Sequence, residues 1–576
     1  MLKLFRNLTW REAILSLLSV GLIVAQVWLD LKLPDYTQEV TLHLQMPHVE
    51  IGSILGAGGK MLLCAFGSLV ASVLTSFCVA RIATSFGAYL RIRLFDRVQA
   101  FSMQEIGGFS TASLITRSTN DIMQVQMALV MGLQLMVKAP IMASWAIVKI
   151  ADKSVQWTFS TGVAIAILLV MVVIVMVAVL PRFRKLQKLT DEMNRVTREN
   201  LTGIRVVRAY NAEDYQQAKF DEANANLTET HLYTQRILAT MMPTIGLVMN
   251  GLSLAINWIG AYLIQAAGFE MKMELFSNMV TFLAYAMQVV ISFMLLVVVF
   301  IMLPRASVSA KRIREVLDTE PVITDGDQTE ALRPGEVEFR NVSFAYPDSK
   351  EPAITNISFR AERGQTLAFI GATGSGKSTV INLIPRFYDA TEGEVLVGGR
   401  NVREYTQEAL RSRLGYVSQK AILFSGTIES NVDFGDNDCQ EVLPALQTAQ
   451  AAEFVEKMHD GINSHVAQGG TNLSGGQKQR VSIARAIARA PEILIFDDSF
   501  SALDFRTDRL LRDALKKLDS TKLIVAQRIG TIRDADCIVV LDEGEAVGIG
   551  THEELMRSCE TYRQIAYSQL SKEELQ

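Results

Sequence analysis

Gly371-Ala-Thr-Gly-Ser-Gly-Lys-Ser378 follows the apolar run 367–369 and leads into a helix-forming stretch at 378–384. A G-x-x-x-x-G-K-[ST] spacing between a strand and a helix is that of a phosphate-binding loop. Its glycines let backbone N–H groups approach phosphate oxygens closely, and the helix N-terminus adds a favourable dipole. Lys377 is placed to set a point charge on the β- and γ-phosphates. The Ser378 hydroxyl is placed to ligate Mg²⁺. Gly371, Thr373, Gly374, Ser375, Gly376 and Thr379 complete the candidate nucleotide-binding set here. The expected cofactors are ATP and Mg²⁺.

Around this loop, β-rich runs at 337–344, 366–370, 493–496, 523–526 and 537–541 alternate with helical stretches. That alternation predicts a largely parallel sheet with crossover helices. The run 493–496 ends on Asp497, a strand-end carboxylate placed to hold Mg²⁺ through water. Before the first strand, residues 318–335 are rich in Asp, Glu, Thr and Pro and lack periodicity, which marks a boundary. The expected division is a six-helix transmembrane domain over 1–320, a linker over 321–336 and an α/β ATP-binding domain over 337–576.

The N-terminal half is of another kind. A bilayer core of about 30 Å needs roughly 20 apolar residues per helix. Six stretches meet that requirement, near 12–33, 53–80, 125–149, 157–180, 237–266 and 274–303. The first has no small-residue cleavage site behind it and reads as a retained span. Amphipathic continuations at 84–101 and 181–200 extend the helices beyond the membrane. Four arginines between 81 and 97 and eight Lys/Arg residues between 182 and 208 crowd two of the connections. Lys3, Arg6 and Arg11 precede the first span, and Arg305, Lys311, Arg312 and Arg314 follow the last. The other loops (34–50, 151–156 and 268–272) are poorer in base. By the positive-inside bias, both termini and the ATP-binding domain face the cytoplasm of a multi-pass cell-membrane protein.

The remaining composition mainly excludes. A net charge of −4 without an aromatic-and-basic stripe argues against a nucleic-acid partner. Cys64, Cys78, Cys439, Cys537 and Cys559 have no metal-ligand spacing and read as small apolar fillers.

Leu473-Ser-Gly-Gly-Gln477 adds a second, independent motif. With it the whole chain resembles the ATP-binding-cassette (ABC) transporters, whose defining signature is LSGGQ. Ser474, Gly475, Gly476 and Gln477 open a helix whose dipole can grip a γ-phosphate. In that family the signature of one cassette closes over the phosphate loop of another, so two cassettes sandwich two ATPs. The resemblance assigns further roles. Tyr346 looks like the adenine-stacking aromatic and Gln419 like the Mg²⁺- and water-sensing glutamine. Ser501-Ala-Leu-Asp504 looks like the loop at the cassette interface, with Asp504 contributing to the nucleotide sandwich. Fusion of six spans to one cassette resembles exporters, and segments 111–122 and 200–214 resemble their coupling helices.

Two departures carry weight. The family's hydrolytic glutamate is replaced by Asp498, whose carboxylate is one methylene shorter. A base displaced by about 1 Å can lose roughly 10²-fold in rate. The family's switch histidine is replaced by Gln527, which cannot carry charge or relay a proton. Gln468 stands where related exporters commonly have a glutamate, and no role is attached to it. A homodimer would hold two poor sites, while the intact signature would serve none. The chain therefore resembles the degenerate-site member of bacterial heterodimeric multidrug exporters. Asp498 and Gln527 are the residues at its own hydrolytic position. The expected partner is a homologous half-exporter with an intact Walker-B glutamate and a switch histidine.

The expected cargo is a small amphipathic compound or other apolar drug. Two alternatives are a lipid or peptide flippase and a non-pumping, ATP-sensing regulatory subunit. Polar groups within spans are costly and mark candidate cavity positions. Asp30, one turn after Gln26, either attracts cationic cargo or reaches the outer interface. Lys138 either lines the cavity or pairs internally. Asn257 and Gln288 read as inter-helix hydrogen bonders or cargo contacts. The 23 methionines suit adaptable apolar binding as well as ordinary lipid-facing and core packing.

Overall fold

The computed structural model describes residues 10–45, 51–151, 153–347, 349, 351–435 and 441–569. Lys3, Arg6 and Cys439 lie outside the described residues. The chain divides into two compact units, Met1–Arg97 with Ala112–Asp318, and Val98–Thr111 with Thr319–Gln576.

In the first unit six helices are long and apolar enough to cross a membrane. They are α1 (Trp10–Gln45), α2 (Ile51–Gln99), α4 (Thr111–Ala151), α5 (Val155–Thr202), the pair α7 (Glu213–Ala239) and α8 (Met241–Ala266), and α9 (Phe269–Asp318). Two short helices, α3 (Met103–Gly108) and α6 (Ile204–Ala209), stand in the long connections. Trp157, Phe282 and Tyr285 are fully buried, and the first two rings meet at 5.4 Å. Gly260 makes that packing possible. A Cβ there would come within 2.3 Å of Met279 Sδ and 3.4 Å of the Trp157 ring.

Two expectations need correction. The stretch 34–50 is read from sequence as a loop, yet α1 runs through Pro34 to Gln45. Two of its polar residues, Asp35 and Gln38, bond to a neighbouring helix. Tyr285 Oη donates to Asp35 Oδ1 at 2.5 Å, and Gln38 Nε2 donates to Asn278 Oδ1 at 2.9 Å. The segment 111–122 is likewise not a separate coupling helix but the start of α4. A π-helical turn at Arg117–Asp121 docks it on α9. There Arg117 meets Glu315 at 3.1 Å, while Asp121 accepts from Ser309 Oγ at 2.8 Å and pairs with Arg312 at 3.4 Å. The detached helix in that connection is α3, which packs within the C-terminal unit. Ser102 and Glu105 cap it reciprocally, and Glu105 Oε1 accepts the Val322 N–H at 3.2 Å. The second expected segment, 200–214, does contain a separate short helix, α6, with Val206 and Tyr210 exposed.

The C-terminal unit holds two main sheets. A six-stranded sheet has the order β12-β11-β3-β10-β9-β6. Its strands are β3 (Thr366–Gly371), β6 (Leu414–Val417), β9 (Ile493–Asp497), β10 (Thr521–Val525), β11 (Cys537–Asp542) and β12 (Glu545–Gly550). All pair in parallel except β12. Central β9 and β10 are buried at every residue, as sheets covered on both faces require. The second sheet departs from the parallel expectation. Its order is β2-β1-β4-β5, from β1 (Val337–Phe344), β2 (Ile354–Ala361), β4 (Glu392–Val397) and β5 (Arg400–Asn401), and every pairing is antiparallel. A two-stranded ribbon, β7 (Gly426–Thr427) with β8 (His465–Val466), completes the unit.

Candidate nucleotide site

The neighbouring parallel strands β3, β10, β9 and β6 all present their C-terminal ends at one edge of the sheet. There the chain emerges as Gly371, Gln527, Asp497–Asp498 and Gln419 respectively. Residues separated by more than 150 positions thus converge through register alone. In open α/β sheets this edge is where ligands bind.

The loop after β3 turns into α10 (Lys377–Leu383) at Gly376, which has φ +94°. A Cβ there would meet Ile354 Cγ2 at 2.6 Å and the Ala353 carbonyl oxygen at 2.9 Å. Gly376→Ala will therefore cost about 1–3 kcal/mol and distort the loop. It is expected to lower the apparent melting temperature of the detergent-solubilised chain and weaken ATP binding. An unshifted melt with normal binding would contradict this account.

Lys377 is buried and curls back onto its own loop, donating to Gly371 O at 2.9 Å and Ala372 O at 2.7 Å. The loop thus holds its ammonium where phosphate oxygens can replace those carbonyls. Burial pulls the Lys377 pKa down, while Asp498 and Asp497 oppose that shift. Ser378 Oγ donates to Asp497 Oδ1 at 2.9 Å. Burial pushes the Asp497 carboxyl up, the Ser378 bond opposes this, and Asp498 adds to it. A hydroxyl bonded to a carboxylate is a hard-oxygen pair suited to Mg²⁺.

Asp498 sits in a left-handed turn with φ +46°. Its N–H donates to Val525 O at 3.0 Å, and its carbonyl accepts from Ser501 Oγ at 2.9 Å. The carboxylate is held by two amides. Gln527 Nε2 donates to Asp498 Oδ2 at 2.9 Å, and Gln419 Nε2 approaches the same oxygen at 3.4 Å. Burial raises the Asp498 pKa; Gln419, Lys377, Arg528 and Gln527 counter that in turn. Sequence reading missed Arg528. Its guanidinium lies 5.4 Å from the exposed Phe505 ring, and only its position after Gln527 hinted at a role.

Tyr346 stands edge-on to Phe344 and Tyr388, and its hydroxyl bonds Thr379 Oγ1 at 3.1 Å. That bond ties the candidate adenine platform to α10. The signature residues form a separate cluster. Ser474 caps α11 (Gly475–Ala488), accepting the Gln477 N–H at 3.3 Å, and Gln477 Oε1 accepts the Ser474 N–H at 2.9 Å. Asp504 caps the following helix through Thr507. Among the described residues, no hydrogen bond joins Ser474–Gln477 or Asp504 to the phosphate loop.

In the helical unit, the question left open for Asp30 and Lys138 has an internal answer. Lys138 Nζ lies 3.3 Å from Asp30 Oδ2, Ser68 Oγ donates to Asp30 Oδ1 at 2.5 Å, and Gln288 Nε2 reaches Asp30 O at 3.3 Å. Gln288 thus bridges two helices. Asn257 does not, because its amide turns to Ser253 O on its own helix at 2.8 Å. Gln26 is half-buried. Asp35, Gln38, Lys149, Lys153 and Asn278 form a polar seam that sequence reading missed. The three-residue spacing of Lys32, Asp35 and Gln38, a single face of α1, was its available signal.

Comparison with known proteins agrees with this architecture. The ABC transporter family profile matches residues 354–501, and that of the ABC transporter transmembrane region matches 53–293. An uncharacterized ABC transporter ATP-binding protein of Mycobacterium tuberculosis is 39% identical over 90% of this chain and 89% of its own length. The chain belongs to the ABC transporter family. A putative multidrug export ATP-binding/permease protein of Bacillus subtilis is 31% identical over 81% of each chain. An ATP-dependent lipid A-core flippase of Escherichia coli is 30% identical over 90% of this chain and 88% of its own. A solved bacterial Atm1-family ABC exporter with ATP bound shares the fold, with a TM-score of 0.79 at 24% identity, covering 98% and 99% of the two chains. This ABC transporter is a multi-pass membrane protein with an ATP-binding domain, an ATPase coupled to transport. ABC half-transporters of this build generally dimerise.

Proposed function

We propose that this chain is the degenerate-site half of a heterodimeric bacterial exporter. Its own site retains ATP and Mg²⁺ and cleaves ATP slowly, while its signature completes a competent site on a partner with a Walker-B glutamate and a switch histidine. The observation that carries the reading is the Asp498 carboxylate, one methylene short and held between the Gln527 and Gln419 amides. A general base must reach its water, and a carboxylate one methylene short with its oxygen engaged by two amide donors is set back from that position. Gln527 supplies no titratable group. Lys377 would cradle the phosphates, Ser378, Asp497 and Gln419 would hold Mg²⁺, and Tyr346 would carry the base. When bound, Mg²⁺ would neutralise charge on the phosphate oxygens. The cassette would face the cytoplasm, where ATP is.

Cargo would be an amphipathic drug or other apolar compound, a reading supported by the Bacillus subtilis relative. A lipid cargo is the second reading, supported by the flippase relative. The test compares the chain purified alone with the co-assembled pair. The pair is expected to hydrolyse ATP about 10²-fold faster, and Asp498→Glu to raise second-site hydrolysis. Robust turnover by the chain alone would overturn the proposal.

A further inference from the structure

The seam between α1, α4 and α9 carries more positive charge than it neutralises. Lys138 takes Asp30. Asp35 is shared by Lys149 at 2.8 Å, Lys32 at 3.7 Å and the Tyr285 hydroxyl. Lys153, in the turn between α4 and α5, has amide oxygens instead of a carboxylate. Its ammonium donates to Gln38 Oε1 at 2.8 Å and Asn278 Oδ1 at 3.2 Å. Those acceptors are themselves fixed. Gln38 Nε2 donates to Asn278 Oδ1, and Gln38 O accepts from Ser277 Oγ at 3.0 Å. Amide oxygens orient an ammonium but leave its charge standing. Burial pulls the Lys153 pKa down, Asp35 opposes that, and Lys149 repels. Four lysines (32, 138, 149 and 153) thus face two aspartates.

An apolar face of α4 lies one turn from this charge. Pro140, Ile141, Ser144, Trp145 and Val148 form an open, shallow surface on that helix. Trp145 and Lys149 are i,i+4 neighbours, so this face continues along one stripe to Lys149. A cationic end beside an apolar face fits a molecule with an anionic head and a hydrocarbon body. The Asp30 carboxylate, which in isolation suggests cationic cargo, is already neutralised.

We propose that Lys153, backed by Lys149 and Lys32, binds the phosphate head group of a membrane amphiphile whose apolar part lies along the open Trp145 face of α4. The proposal rests on the exporter reading and narrows its cargo to anionic amphiphiles. Phosphate exchanges the two amide acceptors for charge-assisted bonds, which are roughly twice as strong.

The test is binding by the full chain in phosphatidylcholine nanodiscs, without ATP or a partner, so that a chain unable to pump still answers it. Phosphatidic acid with brominated chains is the probe, read by tryptophan quenching against brominated phosphatidylcholine. The wild type is expected to be quenched at lower mole fraction by the phosphatidic acid. Lys153→Gln should raise the half-quenching mole fraction about tenfold or more. Asn278→Asp, which sets a carboxylate against Lys153, should do the same should the first variant fold poorly. Trp145→Phe should remove the lipid-specific part of the signal, and Lys219→Gln should behave as wild type. Equal quenching by both lipids, or an unchanged preference in Lys153→Gln and Asn278→Asp, would overturn the proposal. So would loss of the preference in about 10 mM inorganic phosphate at matched ionic strength, which would mark a site for soluble anions.

Discussion

In the co-assembled pair, Gly476→Asp in this chain will lower ATP turnover by about 10²-fold or more. Asp498→Asn in the same chain will lower it by less than about threefold. The asymmetry follows from where each residue works. Gly476 lies in the first turn of α11, and a Cβ there would meet Ala502 O at 3.2 Å and Leu503 Cδ2 at 3.8 Å. An aspartate there places a carboxylate where the helix dipole and free N–H groups await a γ-phosphate. Its charge opposes the ligand directly and pushes against the 502–504 loop. In the proposed heterodimer the damaged site would be the partner's, which would carry the hydrolysis. Asp498, by contrast, belongs to the site expected to turn over slowly already. Steady-state phosphate release from the two variants decides the matter. Equal losses in both would mean that the two sites share the work.

The second large effect is loss of nucleotide from this chain's own site. Lys377→Ala is expected to weaken ATP binding there by about 10²-fold, read by photolabelling with azido-ATP and mapping the labelled chain. The ammonium that Gly371 and Ala372 hold in place is lost, and Asp497 and Asp498 lose their nearby cation. Transport by the pair should fall with it, because closing the cassettes requires both nucleotides. Transport that survives complete loss of ATP at this site would favour an ATP-sensing subunit over a pumping half.

Much of the cassette is legible in sequence for a physical reason. β3, β9 and β11 are buried on both faces, so they read as unbroken apolar runs ending at Gly371, Asp497 and Asp542. β2 and β4 carry exposed residues, Asn356, Ser358 and Glu392 among them, and of the antiparallel sheet only β1, at 337–344, therefore left a comparable mark. The six spans were legible from length and apolarity, whereas their ends were not. Asp35 and Gln38 look like loop residues until their partners, near 149, 278 and 285, are known. The nucleotide residues were named from motifs alone, yet the clamp on Asp498 depends on strand order. Gln419 and Gln527 stand 79 and 29 positions from it in sequence.

Residues 98–111 pack with the C-terminal unit, where Glu105 holds the Val322 amide. The cassette is therefore discontinuous in sequence. A fragment begun at Thr319 would carry the sheets and the phosphate loop yet lack one of its own pieces, with the Val322 N–H left to water. Excising this ATPase cleanly takes three cuts, and any gene fusion or circular permutation that treats 319 as its beginning will sever it from its own outlying helix.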